Sequence, residues 1–159
     1  MRKLLILGIS FFFLIGCGSL YRYAKSGEVG WALKKAVRDE HKQEIVLKDF
    51  TPFKWDEFFI FNPYTSTEEV CKQLGLNSIE CKNTIKKEST DDSEMLLVFR
   101  QQGKVVHVEM HFRWHGDFTP APDKPFTPAN AVFIVKAEGK AADGSAWLRL
   151  RQKTTEKIH

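Results

Sequence analysis

Residues 94–114, EMLLVFRQQGKVVHVEMHFRW, decide the fold. Two β-prone runs flank Gln102-Gly103, a pair suited to a tight hairpin turn. The second run alternates with period two: Val106, Val108, Met110, Phe112 and Trp114 take one face, and His107, Glu109, His111, Arg113 and His115 the other. Side chains of a strand point alternately to its two sides, so this spacing predicts one buried, apolar face and one wet, polar face. An antiparallel hairpin is therefore the nucleus from which the rest of the chain is read.

On the N-terminal side, residues 45–50 alternate and end at Thr51-Pro52, which predicts a strand. Residues 55–62 place Trp55, Glu57, Phe59 and Phe61 opposite Asp56, Phe58, Ile60 and Asn62. Aromatic and branched side chains on both faces predict an interior strand. Between residues 28 and 43, Val29, Ala32, Leu33, Ala36 and Val37 recur at helical spacing, with Lys34, Lys35, Arg38, Asp39 and Lys42 mostly opposite. That is an amphipathic helix, which packs against the domain's sheet or, as the alternative, lies on a membrane surface. A second helix starts at Ser66 or Thr67, has Glu68 and Glu69 in its first turn, buries Val70, Cys71 and Leu74, and closes at Gly75. Residues 83–94 are polar and charged and predict a surface loop.

On the C-terminal side, residues 116–130 hold Pro120, Pro122, Pro125 and Pro128, predicting an ordered loop rather than a strand. Residues 131–137 are apolar on both faces and belong inside the sheet. Ala142-Asp143-Gly144 turns the chain into a last strand at residues 146–153. The expected fold class is α+β, with one antiparallel sheet of about six strands and two helices packed on it. The expected organisation is a cleaved signal at 1–16, a lipidated tether at 17–27, a single domain at 28–153 and a polar tail at 154–159.

The leader supports that division. Arg2 and Lys3 precede an apolar run from Leu4 to Leu14, the layout of a secretory signal. Such a run extends roughly 18 Å as a helix, short of a bilayer core of about 30 Å. Its end, Leu14-Ile15-Gly16-Cys17, resembles the bacterial lipobox, in which a peptidase cuts before the cysteine. The resemblance implies a diacylglyceryl group on the Cys17 thiol and often an acyl chain on its new amine. Two or more chains anchor firmly, each buried CH₂ contributing about 0.8 kcal/mol. By the same resemblance, Gly18 in place of an aspartate favours the outer membrane, facing the periplasm. An ordinary secretory signal with an incidental cysteine is the alternative.

Removing the leader's Arg2 and Lys3 leaves 22 basic against 20 acidic residues. So balanced a chain, with no long single-sign block, excludes an electrostatic argument for nucleic acid. With Cys17 assigned to lipid, Cys71 and Cys81 remain, and a pair in an exported chain predicts a disulfide. Two free thiols or half a metal site are the alternatives.

The run Trp55-Asp56, Phe58-Phe59-Ile60-Phe61, Pro63-Tyr64-Thr65, Glu68-Glu69-Val70 and Leu74-Gly75 resembles a motif of small uncharacterised bacterial lipoproteins, a family that implies an envelope location and no activity. Its cap, helix and Leu-Gly ending are also similar to a segment of the outer-membrane assembly lipoproteins of the SmpA/BamE type. Two strands precede the segment here, which departs from the order in those proteins.

Candidate chemistry is sparse. His107, Glu109 and His111 sit on one strand face, where two imidazoles and a carboxylate could converge on zinc or copper. The alternative is a solvated face whose side chains pair across the hairpin, with Arg113 on an acid. Asp56, beside Trp55 and Tyr64, could line a small pocket or pair with backbone or arginine. No serine elbow and no phosphate-cradling loop is present, so the expectation is a protein without enzymatic activity or cofactor. Phe118 and Phe126, on the stiffened loop, either present aromatics to a protein partner or fold back over the sheet's edge. The expected function is a membrane-anchored envelope interaction or structural module. It would use the 116–130 loop or an exposed sheet edge. A periplasmic inhibitor or immunity protein is the alternative of another class, and ligand binding at the histidine strand a third.

Overall fold

The computed structural model describes residues 26–154. Cys17 and the expected signal, and the tail beyond residue 154, lie outside these residues. The fold is α+β, but its strands form two three-stranded antiparallel sheets rather than one sheet of six. Strands β2 (Glu57–Phe61), β3 (Glu94–Gln101) and β4 (Lys104–Phe112) make the first, with β3 in the middle. Strands β1 (Glu44–Val46), β5 (Val132–Lys140) and β6 (Ala146–Gln152) make the second, with β5 in the middle.

The hairpin of β3 and β4 turns at Gln102-Gly103, both at positive φ (51° and 74°). Asp56 Oδ2 accepts the Gln102 N–H at 2.6 Å, so this carboxylate braces the turn. The first sheet is covered on both faces, which explains why β2 and β3 lack simple alternation. Phe58, Ile60, Met95, Leu97 and Phe99 face a core shared with the second sheet and helix α1 (Glu28–Lys34). Phe59, Phe61, Leu96, Val98 and Met110 face a second core under helix α2 (Thr67–Leu74), which inserts Val70, Cys71 and Leu74.

Helix α1 continues through a π-helical turn, Lys35–Asp39, and ends short of the expected residue 43. Helix α2 begins as predicted, with Ser66 Oγ accepting the Glu69 N–H, and closes at Gly75 in the left-handed region (φ 66°). A third helix, α3 (Ser78–Thr84), stands where the sequence shows mainly polar residues. Its start is a capping box: Asn77 accepts from the first turn while Glu80 accepts the Asn77 N–H. This helix buries no residue; the disulfide Cys71–Cys81 fastens it to α2.

The 116–130 loop is ordered by both sheets. Asp117 pairs with β6 in parallel fashion, accepting from Leu150 N–H and donating to Leu148 O. Phe126 exchanges two 2.8 Å backbone bonds with Phe58 of β2. The loop therefore occupies the outer edges of β2 and β6, which would otherwise be open ladders.

Candidate functional site

The polar face of β4 is not wet. Antiparallel pairing sets His107 beside Phe99, Glu109 beside Leu97 and His111 beside Met95, three residues of the shared core. Helix α1 lies over this face, and His111 is 0% exposed. The apolar partner face holds the exception: Val106, at the β-bulge between the strands, is 43% exposed.

Glu109 explains how such a face can be buried. Its carboxylate accepts the Gly30 N–H at 2.7 Å and the Val29 N–H at 3.1 Å. These are first-turn amides of α1, which have no partner inside the helix. Gly27, the residue before the helix, offers no side chain as a cap, so a carboxylate from a distant strand does that work. His107 adds a contact, its Nε2 lying 2.8 Å from Glu109 Oε2 while its ring stacks on Phe53.

His111 Nε2–H donates to the Gly116 carbonyl at 2.7 Å. Burial pushes its pKa below the ordinary histidine value, so it is neutral at pH 7. His115, its ring 5.0 Å from that of Trp31, is lowered to about 4 by burial, with His111, Lys34 and Arg38 adding to the effect. The Nδ1 atoms of both rings have no hydrogen-bond partner.

These commitments differ from the metal-ligand arrangement expected of His107, Glu109 and His111. Glu109 is spent on helix amides and His111 Nε2 on a carbonyl. Among the described residues no group of three His, Cys, Asp or Glu side chains is arranged to hold a metal ion. The three residues are the seam joining α1 to the first sheet.

Phe118 and Phe126 also resolve. They are 3% and 5% exposed and pack among Phe58 and Phe133, mostly edge to face, so they fold back over the sheet's edge. Asp56 holds the hairpin turn, Trp55 is in the core, and Tyr64 is exposed.

One buried charge was not singled out by the sequence. Asp117 is fully buried and accepts bonds from Arg113, Thr119 and the Trp147 indole, with Arg149 Nη1 at 3.8 Å. Burial raises its pKa, but the bonds from Arg113, Thr119 and Trp147 together outweigh it and hold the carboxylate below its ordinary value. Arg113 and Thr119 are its neighbours in the chain, whereas Trp147 and Arg149 come from β6, about thirty residues on. With every carboxylate oxygen engaged, Asp117 pins the loop to β6.

The loop pairs with neither of the remaining edge strands, β1 and β4, and open space lies at the outer edge of β4. There a cavity of about 310 Å³ opens beside Ser26 and Gly27, with Leu96, Val108 and Met110 in its wall and Thr84, Lys86 and Lys87 around it.

Among the described residues no helix is long and apolar enough to cross a membrane. No protein-family model, curated protein or solved structure matches the chain. The fold and the site therefore define the class directly: a small, disulfide-stapled α+β domain of two three-stranded sheets, with a cavity at the β4 edge.

Proposed function

We propose that this protein is a lipid-anchored component of a bacterial envelope, held at the outer membrane on the periplasmic side, that works without enzymatic activity by binding a protein partner. The observation that carries the reading is Leu14-Ile15-Gly16-Cys17 at the end of a short apolar leader, ahead of a domain whose remaining cysteines are joined. A disulfide suits an exported chain. The buried ionisable groups add support, since Glu109 and Asp117 are engaged in holding elements together. The 116–130 loop is occupied within the fold, and the β4 edge, with a cavity beside it, is the surface offered to a partner.

The test is metabolic labelling with a palmitate analogue, envelope fractionation and crosslinking of the intact protein. Label and membrane retention are expected in the natural chain, with both lost in Cys17→Ser, and one protein crosslinked in the envelope. A Cys17→Ser chain that stays with the membrane overturns the anchor. An intact chain that crosslinks to nothing overturns the partner.

A further inference from the structure

Strand β4 lies at the rim of its sheet, and its backbone groups alternate between facing β3 and facing away. Gly27 N–H donates to Met110 O at 3.2 Å, and Phe112 N–H donates to Ser26 Oγ at 3.0 Å. The outward groups hence belong to the even-numbered residues. Ser26 and Gly27 satisfy the end of the edge, while the outward groups of Val108 find no partner among the described residues. An uncovered ladder of this kind is a template for another strand, and proteins ordinarily cover or charge it. Here Val108 lies between Val106 and Met110 on its face of the strand, and Val106 is 43% exposed.

The edge opens directly into the 310 Å³ cavity. Leu96, Val108 and Met110 give it an apolar wall, and Lys86 and Lys87 set its charge. Lys86 Nζ reaches the Lys82 carbonyl, and among the described residues neither lysine is in an ion pair. The acid in the lining, Glu109, directs its carboxylate to the amides of Val29 and Gly30.

We infer that the β4 edge is a strand-addition site for an extended, acidic segment of a partner protein. Backbone bonds to Val108 supply the pairing, the cavity takes an apolar side chain, and Lys86 and Lys87 select carboxylates beside it. Charge decides between occupants. The chain's own tether, Ser19-Leu20-Tyr21-Arg22-Tyr23-Ala24-Lys25, carries two cations and no acid. A second copy paired edge to edge would bring its own Lys86, Lys87 and Lys104. Both meet like charge, and an acidic segment does not.

This inference rests on the partner-binding reading above and names the surface and the partner's chemistry. The test uses the full lipidated chain in detergent micelles. The probe is a fluorescein-labelled heptapeptide alternating valine and glutamate, with a valine–lysine peptide and a central-proline peptide as controls. Anisotropy is expected to show salt-sensitive binding of the glutamate peptide, weakened about tenfold or more in Lys86→Glu/Lys87→Glu. That variant is expected to prefer the lysine peptide. Amide exchange at Val108 is expected to slow when the glutamate peptide is added. Equal binding of all three peptides, or no binding at millimolar concentration, overturns the inference. So does a Val108 amide already protected in the free monomer, which assigns the edge to the tether. A dimer that forms through this edge as concentration rises overturns it by assigning the edge to a second copy. If the probe fails while envelope crosslinking persists in Lys86→Glu/Lys87→Glu, this surface falls and the partner-binding reading stands. If crosslinking fails in the natural chain, the broader reading falls.

Discussion

Replacing Glu109 by alanine should loosen α1 from the sheet, and the structure sets the scale of the loss. The carboxylate holds two first-turn amides at 2.7 and 3.1 Å, and both bonds are buried. An orphaned buried donor costs about 1–3 kcal/mol, and losing a helix cap typically costs about 1 kcal/mol. Water entering the vacated space recovers part of this, so the expected destabilisation is about 3 kcal/mol. At about 2–8 °C per kcal/mol for domains of this size range, the Tm should fall by roughly 10 °C. Glu109→Gln keeps the shape and one acceptor but loses the charge, and should cost about 1–2 kcal/mol. Urea unfolding followed by tryptophan fluorescence measures both, with Trp31 on α1 as a local reporter. Glu28→Ala is the control: its side chain is half-exposed and 3.8 Å from His107, so its loss should stay within about 0.5 kcal/mol.

Gly27 offers a check that does not remove the carboxylate. A Cβ at this position would lie 2.2 Å from Glu109 Oε2, although the backbone there (φ −80°) admits alanine. Gly27→Ala should therefore displace the carboxylate and cost about 2 kcal/mol, and part of that cost should persist in the Glu109→Ala background, because the Cβ of residue 109 itself lies 2.6 Å from the added atom. A loss below about 1 kcal/mol in Glu109→Ala would refute the capping role.

The fold should also lose stability in acid. His115, with a folded pKa of about 4, stays neutral while its unfolded form takes up a proton near pH 6.5. Its contribution is complete above pH 6.5 and declines as pH falls towards 4, by about 2–3 kcal/mol; His111, lowered by burial, acts in the same direction. The lowered carboxylate of Asp117 extends the loss at still lower pH, and urea midpoints across the range should be flatter in His115→Phe. Removing the disulfide by Cys71→Ala/Cys81→Ala should cost about 2–3 kcal/mol. Amide exchange should speed first in α3, which buries no residue of its own. Phe126→Ala, opening space among Phe58 and Phe133, should cost about 3–5 kcal/mol by thermal unfolding, which would be near zero for an exposed partner-binding ring.

The parts of the fold that the sequence exposes are those governed by neighbours in the chain. The Gln102-Gly103 turn, the Ser66 cap, the Gly75 stop and the Cys71–Cys81 pair each depend on a few adjacent residues. Even α3 had a local sign, the Asn77 and Glu80 capping box, obscured by a helix too polar to bury a face. The division into two sheets had none, because it depends on Phe126 and Asp117 reaching strand edges far from them in sequence.

The face of β4 shows why periodicity can give the right period and the wrong side. Alternation reports that two faces differ, and solvent is the usual source of the difference. Here the polar side meets the end of a helix, where unpaired N–H groups make an environment as demanding of oxygen as water is. Glu109 is therefore inside for the same reason that it would ordinarily be outside: it needs donors, and α1 supplies them. Val106 is outside because the bulge and the open edge leave nothing to cover it. A polar strand face thus identifies its partner only after the nearest helix start has been placed, and a valine left at the rim of a sheet is where a missing strand would add.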